Sequence, residues 1–198
     1  MTKAICVFCG ASRGNAPHYV KLARRTGRAI AERGYSLVYG GGGLGLMGAT
    51  AEGTVEGGGE VLGIIPKFLT ELEQVVTDVP HVIVDTMHER KTMMYDRADA
   101  FIVLPGGIGT LEEAVEVMSW ARLKLHCKPI VFLSEDRFWA PMRATLDHIV
   151  DSAFAPPQMR QDMAFSSTVD GAFALIEQAW RERADRVVGA GVFADVDL

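Results

Sequence analysis

The stretch Pro105–Glu113, PGGIGTLEE, decides how this chain of 198 residues is interpreted. It follows the apolar run Ala100–Leu104, which is typical of a buried strand. It precedes a helical pattern that places Leu111, Val115 and Met118 on one face. The glycines therefore lie where a strand turns into a helix. At such a turn the backbone N–H groups and the helix dipole favour an anion, and glycine allows a phosphate to approach closely.

Glu113 is the unexpected residue of this turn. A carboxylate in the first turn of a phosphate-binding helix repels phosphate unless it has another role. Glu is also favoured in the first turn of any helix, where it complements the helix dipole. The glycine turn alone leaves both interpretations open.

The length of the chain predicts a single domain, 1–186, and the glycines and weak periodicity of 187–198 predict a mobile C-terminal tail. The formal net charge is −5, and the absence of a basic block argues against nucleic acid as a partner. No apolar run has the length of a membrane span and no signal peptide precedes the first strand. We therefore expect a cytoplasmic protein that has no membrane partner.

The three cysteines and five histidines of the chain do not form a metal-binding pattern. Cys6 and Cys9 have C-x-x-C spacing, but residues three apart on a strand face opposite sides of the sheet. No second cysteine pair completes a zinc site. We expect no metal and no cofactor.

Strand-like apolar runs alternate with helical patterns along the chain. This alternation predicts an α/β fold, a Rossmann-like, doubly wound parallel sheet with helices on both faces. The predicted strands are Ala4–Cys9, Ser36–Tyr39, Glu60–Ile65, His81–Val84, Ala100–Leu104 and Ile130–Leu133. After a helix that begins at Pro17, the predicted helices are Met47–Val55, Met87–Arg97, Thr110–Leu125, Phe138–Asp151 and about Gly171–Arg183.

Three glycine-bearing loops follow predicted strands: Gly10–Gly14, Gly40–Gly45 and Gly106–Gly109. Ligands of such sheets bind outside the carboxyl ends of the strands, so we expect the loops to converge on one crevice. A dinucleotide fingerprint would require its glycines after the first strand and an acid at the end of the second, whereas here the glycine run follows the second strand, which ends in Tyr39. A Walker-type G-K-[ST] motif is also absent from the sequence. The loops therefore predict a mononucleotide site.

Arg90 and Arg97 lie two turns apart on one face of the helix predicted over Met87–Arg97. Two arginines directed at the crevice would suit phosphate or carboxylate recognition and would offset the charge of Glu113. A solvated charged face is the alternative, which also fits Lys91, and the sequence leaves both open.

Four motifs in this order, Tyr39–Gly43, Gly45–Gly48, Met87–Lys91 and Pro105–Glu113, closely resemble the Lonely Guy family. Members of that family are cytokinin riboside 5′-monophosphate phosphoribohydrolases, once labelled lysine decarboxylases. The resemblance extends from about Ile5 to Pro129. It implies hydrolysis of the N-glycosidic bond of AMP or N6-isopentenyl-AMP, which releases the free base and ribose 5-phosphate.

The resemblance also implies that Arg90 and Glu113 are the residues needed for activity. A fixed carboxylate stabilises the oxocarbenium-like cation that forms at C1′. We expect the helix N-terminus and Arg90 to keep Glu113 ionised. For the proton donor to the leaving base, Asp85 and Asp99 are only candidates. The substrate-binding residues predicted from the resemblance and the glycine turns are Gly10, Ser12, Gly41, Gly42, Glu73, Arg90, Lys91, Arg97, Gly106, Gly107, Ile108, Gly109, Thr110, Leu111, Glu112, Glu113 and Ser119.

The alternative function is that of a non-catalytic nucleotide or cofactor carrier of the same fold. A decarboxylase would need a lysine in a pyridoxal phosphate pocket, and no lysine has that sequence context. An N6-prenyl group requires an apolar pocket, for which the candidates are Met93, Met94, Met118 and Trp120.

The family is usually dimeric, and we expect a homodimer here. Trp120, Leu123 and Leu125 extend the apolar surface of the helix that begins at Thr110. A position in the ordinary core is the alternative for all three.

Overall fold

The computed structural model describes residues 2–70, 72–76 and 78–192. Seven parallel strands form one sheet in the order β4-β3-β2-β1-β5-β6-β7. The strands are β1 (Ala4–Phe8), β2 (Ser36–Tyr39), β3 (Val61–Pro66), β4 (His81–Val84), β5 (Ala100–Val103), β6 (Ile130–Leu133) and β7 (Ala164–Ser166). The helices are α1 (Pro17–Glu32), α2 (Gly45–Glu56), α3 (Met87–Arg97), α4 (Ile108–Arg122), α5 (Ala140–Asp151), α6 (Met159–Asp162) and α7 (Val169–Val192).

The chain starts at the centre of the sheet and winds outward in both directions. In register, Val7 of β1 lies beside Tyr39 of β2 and beside Ile102 of β5. One core packs α1, α2 and α7 against one face of the sheet, and the other packs α3, α4 and α5 against the opposite face. The predicted doubly wound α/β fold, a single domain with helices on both faces, is thereby confirmed.

Cys6 and Cys9 belong to different cores, as their spacing on an extended chain predicts. Cys6 contributes to the core beneath α3, α4 and α5. Cys9, just beyond β1, contributes to the core beneath α1 and α2. Both cysteines are buried, so their thiols serve packing on two sides of the sheet.

Strand β7 and helix α6 were not predicted. Each is only three or four residues long, too short to show a hydrophobic period of its own. Helix α7 extends to Val192 and includes residues 187–192, the first part of the predicted tail. Residues 193–198 lie outside the described residues, so the mobility of the tail stays a prediction.

The buried face of α4 differs from the predicted one. Its buried residues are Thr110, Glu113, Ala114, Val117 and Met118, whereas Val115 is 45% exposed. Met118 of the predicted stripe is buried and Leu111 packs against the same core, so apolar periodicity identified part of the inward face and missed its two polar residues. No helix of the described part of the chain is long and apolar enough to cross a membrane.

Candidate active site

A crevice opens at the carboxyl edge of the sheet, where the winding direction changes between β1 and β5. Its volume is about 470 Å³. The lining residues come from five different connections of the fold. They are Val7, Cys9, Gly10, Ala11, Ser12, Gly40, Met47, Leu69, Glu73, Met87, Arg90, Gly107, Gly109, Thr110, Glu112 and Glu113.

The predicted glycine loops meet at this crevice. The Gly10 N–H donates to the Pro105 carbonyl oxygen (3.1 Å), and the Leu46 N–H donates to the Gly10 carbonyl oxygen (3.0 Å). Gly45 has φ +61°, and a Cβ atom there would lie 2.4 Å from the Ala11 carbonyl group. The backbones approach so closely that a side chain at Gly45 is excluded.

Helix α3 begins with a capping box that positions Arg90. The Glu89 N–H donates to the Thr86 hydroxyl (3.1 Å), and the Thr86 N–H donates to the Glu89 carboxylate (3.3 Å). Glu89 therefore serves the helix terminus rather than the crevice. Arg90, the next residue, turns inward and is only 5% exposed.

The guanidinium of Arg90 lies against glycine on one side and a carboxylate on the other. A Cβ atom at Gly40 would lie 2.0 Å from Arg90 Nη2, so any side chain at this position displaces the arginine. Arg90 Nη2 is 3.8 Å from Glu113 Oε1. Arg90 Nε is buried and has no hydrogen-bond partner among the described residues. Arg90 also lines the crevice, where a ligand can contact it.

Glu113 lies on the inward face of α4 and is 9% exposed. The pKa of its carboxyl is raised from the ordinary value of 4.5 to about 7, mainly by burial and to a smaller extent by the charges of Glu112 and Glu73. Arg90 lowers this pKa but compensates for only part of the burial. Arg90 favours the ionised form of Glu113, as expected, but the expectation omitted desolvation, which has the larger effect on the pKa. A carboxyl with this pKa can accept or donate a proton near neutrality.

Glu73 enters the crevice from the segment between β3 and β4. Burial raises the pKa of its carboxyl, and Arg90 partly opposes that shift. Glu73 Oε2 is buried and lacks a hydrogen-bond partner among the described residues. The crevice therefore holds two partly desolvated carboxylates and one arginine.

Lys91 faces α4 instead of the crevice. Its ammonium donates to Glu112 Oε1 (2.5 Å) and to Glu116 Oε1 (3.0 Å). These pairs tie α3 to α4 beside the crevice. Glu112, at the rim, thus has a partner for its charge.

Nine of the predicted substrate-binding residues line the crevice, and two more adjoin residues that line it. Gly106 is covered by Thr110, whose Oγ1 would be 2.2 Å from an added Cβ atom. Gly42 adjoins Glu73, whose Oε2 would be 2.8 Å from such an atom. The nine are Gly10, Ser12, Glu73, Arg90, Gly107, Gly109, Thr110, Glu112 and Glu113.

The remaining predicted residues are not brought into the crevice. Arg97 is seven residues beyond Arg90, about 10 Å along α3. It borders a separate cavity with Ala4, Ser36 and Pro80 at the amino ends of the strands. The prediction that both arginines reach the crevice rested on their shared helix face and did not take this distance along the helix into account. The others are Gly41, Lys91, Ile108, Leu111 and Ser119, of which Ile108 is 82% exposed.

The apolar wall of the crevice was not anticipated. It consists of Met47, Leu69 and Met87, together with Cys9. The candidates from the sequence, Met93, Met94, Met118 and Trp120, do not line the crevice. Met47 and Met87 lie in the first turns of helices that begin at the carboxyl edge of the sheet. This position along a helix is the signal that could have identified them.

A larger cavity, of about 930 Å³, lies at the other end of the strands, near their amino ends. It is bordered by α7 and by the connection between α4 and β6, including Lys124, Lys128 and Arg183. None of the glycine turns and none of the buried carboxylates belongs to it. We therefore assign the candidate active site to the smaller crevice.

Fold and crevice together define a class: α/β proteins with a doubly wound sheet and a ligand crevice at its switch point. Solved structures share this fold. The molybdenum cofactor binding protein of Rippkaea orientalis has a TM-score of 0.69 and 22% identity, covering 90% of this chain and 97% of its own. The molybdenum cofactor carrier protein of Chlamydomonas reinhardtii has a TM-score of 0.67 and 19% identity, covering 91% and 99%. At these identities the likeness shows the fold alone.

Sequence relatives identify the family. The family model described as "Possible lysine decarboxylase" matches residues 47–177. A cytokinin riboside 5′-monophosphate phosphoribohydrolase of Rhodococcoides fascians is 40% identical over 178 residues, 88% of this chain and 89% of its own. One from Arabidopsis thaliana is 39% identical over 196 residues, 98% and 90% of the two chains. This chain belongs to the Lonely Guy family, the family that its motifs resemble.

Proposed function

We propose that this chain is an N-glycosyl hydrolase that releases the free base and ribose 5-phosphate from AMP or N6-isopentenyl-AMP. The observation that carries this proposal is the buried pair of Arg90 and Glu113 directly beside the glycine turn. A site that only binds phosphate has no use for a buried carboxylate. The reaction named for the relatives supports the same chemistry.

The 5′-phosphate is expected at the N-terminus of α4. The first N–H groups of a helix have no partner within the helix, and the dipole favours an anion there. A Cβ atom at Gly107 or Gly109 would have no neighbour within 4 Å, so the turn leaves space for a phosphate. Thr110 adds a hydroxyl at the crevice.

Glu113 is expected beside the ribose, one turn of α4 beyond the phosphate. Cleavage of the ribosyl bond develops positive charge at C1′, as in other glycoside hydrolyses. An ionised Glu113 stabilises that charge more in the transition state than in the ground state. It also accepts a proton from the water that attacks C1′, which a carboxylate with a pKa of about 7 can do. Arg90 holds this carboxylate in place.

The base is expected against the apolar wall formed by Met47, Leu69 and Met87. Methionine adapts its shape to irregular apolar groups, so this wall suits an N6-isopentenyl substituent as well as unmodified adenine. The base that the enzyme prefers is thus set by contacts at this wall.

Product analysis tests the proposed function. The purified chain is incubated with AMP or N6-isopentenyl-AMP, and ribose 5-phosphate and free base are quantified. We expect equal amounts of the two products, and the kcat/KM values rank the two bases. A carrier would bind the nucleotide without releasing either product, which would overturn the assignment.

The description of the family model raises the alternative of a lysine decarboxylase. That chemistry depends on pyridoxal phosphate held by a lysine. Among the described residues that line the crevice there is no lysine. We expect no carbon dioxide release from lysine in the presence of pyridoxal phosphate.

A homodimer is proposed through the outward side of α4 and the connection that follows it. Ile108 is 82%, Val115 45%, Leu123 65% and Leu125 64% exposed. Exposed apolar residues along one element are common at protein interfaces. We expect light scattering to give twice the mass of one chain, and Val115→Asp to lower it. Glu116→Gln on the same helix is the control; a monomeric wild type contradicts the proposal.

A further inference from the structure

Release of adenine from a nucleotide requires a proton donor as well as a carboxylate. When the C1′–N9 bond breaks, its electron pair stays with the base, and protonation of a ring nitrogen removes the resulting charge. Asp85 and Asp99 do not line the crevice. Asp99 lies at the opposite edge of the sheet, where its carboxylate accepts a hydrogen bond from the Ala4 N–H (2.9 Å) and pairs with Lys3. Neither aspartate is in a position to protonate the base.

Glu73 and Glu113 enter the crevice from opposite sides. Glu73 comes from the connection after β3 and Glu113 from the helix after β5, and strands β2 and β1 lie between those two strands. Both carboxylates interact electrostatically with Arg90. Glu112, at the rim, is paired with Lys91.

The backbone holds Glu73 in place. Its N–H donates to the Leu69 carbonyl oxygen, and its own carbonyl oxygen accepts from the Gly43 N–H, both at 2.9 Å. The side chain is different, because Oε2 is buried without a hydrogen-bond partner among the described residues. A buried polar atom of this kind is costly unless a ligand satisfies it. Leu69, on the same segment, belongs to the wall where the base is expected.

We propose that Glu73 is the general acid of this hydrolase and transfers its proton to a ring nitrogen of the departing base. This inference rests on the proposed function. The C1′–N9 bond breaks, and its electron pair remains on the base, which takes the proton of Glu73 and leaves neutral. Water forms the new bond to C1′ and gives its proton to Glu113. Return of that proton to Glu73 through solvent restores the enzyme, so that one water is consumed per turnover.

The charges in the crevice agree with this division of roles. Two carboxylates near a single arginine repel each other when both are ionised, which favours a state with one proton between them. Burial also raises the pKa of Glu73. Glu113, within 3.8 Å of Arg90 Nη2, is the carboxylate with the direct ion pair. The proposed mechanism requires this proton to lie on Glu73, and Glu113 beside Arg90 to be ionised, when a nucleotide binds.

A substrate that needs no proton separates acid catalysis from binding. In 7-methyl-AMP the base is already cationic and leaves as a neutral molecule. We expect Glu73→Gln to lower kcat for AMP by about 100-fold or more, the size of general acid catalysis. For 7-methyl-AMP the same variant is expected to lose less than about fivefold. Glu113→Gln is the matched control and is expected to lower kcat for both nucleotides.

The outcomes are distinct. If Glu73→Gln lowers kcat equally for both nucleotides, or does not lower kcat for AMP, the assignment of Glu73 as the general acid is overturned. A wild type that forms ribose 5-phosphate from neither nucleotide would instead overturn the proposed function. A measurement on the wild type needs no variant: kcat/KM for AMP is expected to fall at alkaline pH, whereas that for 7-methyl-AMP is not. A parallel fall for both substrates contradicts the role of Glu73.

Discussion

Glu112 and Glu113 are neighbours on α4 with identical side chains and opposite surroundings. Glu113 points inward, is 9% exposed and has a pKa of about 7. The side chain of Glu112 is 51% exposed and accepts a hydrogen bond from Lys91. Successive residues of a helix point about 100° apart, so Glu113 faces the inside of the crevice while Glu112 lies at its rim. The face of the helix, and not the residue type, therefore determines which of the two acids faces the crevice.

Arg90 and Arg97 repeat this contrast along the length of a helix. Both belong to α3, but of the two only Arg90 reaches the crevice. Arg97 lies near the amino ends of the strands. In each pair, Glu112 with Glu113 and Arg90 with Arg97, the residue type is the same and only the position differs, so matched substitutions test the effect of position.

The largest expected effect is on turnover. We expect Glu113→Gln to lower kcat for AMP by about 1,000-fold, since it removes a preorganised charge from the site of the developing cation. Glu112→Gln is expected to retain kcat within about threefold, because Glu112 is paired with Lys91 at the rim. Steady-state release of ribose 5-phosphate measures both. Similar losses in the two variants would mean that the contrast between the faces has no catalytic meaning.

The next effect concerns stability and its dependence on pH. The pKa of Glu113 is raised from 4.5 to about 7 on folding. The folded state therefore binds this proton more tightly, and the stabilisation is complete below pH 4.5 and is lost as pH rises through 7. The difference corresponds to about 3 kcal/mol.

Urea unfolding at acidic and mildly alkaline pH tests this linkage. The free energy of unfolding of the wild type is expected to decrease from about pH 5 to about pH 8 by more than that of Glu113→Gln, which stays neutral. Glu112→Gln is expected to follow the wild type. If the three proteins show the same dependence on pH, burial does not control the protonation of Glu113.

A smaller effect is expected from replacing one arginine with lysine. Arg90→Lys keeps the charge but loses the planar donor fork, and we expect kcat/KM to fall by about 100-fold. Arg97→Lys is expected to change it by less than about threefold. Substrate binding and turnover, measured separately, show whether Arg90 acts on the ground state or on the transition state. A comparable loss in Arg97→Lys would contradict its position outside the crevice.

Local patterns predicted much of this molecule. Alternating strands and helices indicated the doubly wound sheet, and glycines at strand ends indicated where its crevice would lie. Arg90 and Glu113 followed from ordered motifs. Short elements such as β7 were not predicted because three residues carry no period, and the inward face of α4 was predicted only in part because Thr110 and Glu113 are polar.

The order of the elements, the parallel sheet and the glycine turn follow from the amino-acid sequence, because hydrophobic period and glycine geometry are local properties of the chain. Three features depend on the tertiary structure: Glu113 is desolvated, Glu73 interacts with Arg90, and Arg97 lies outside the crevice. Burial and charge–charge interaction depend on neighbours from distant parts of the chain, which no local pattern contains. These tertiary neighbours set the protonation of Glu73 and Glu113, and the proposed chemistry depends on that protonation.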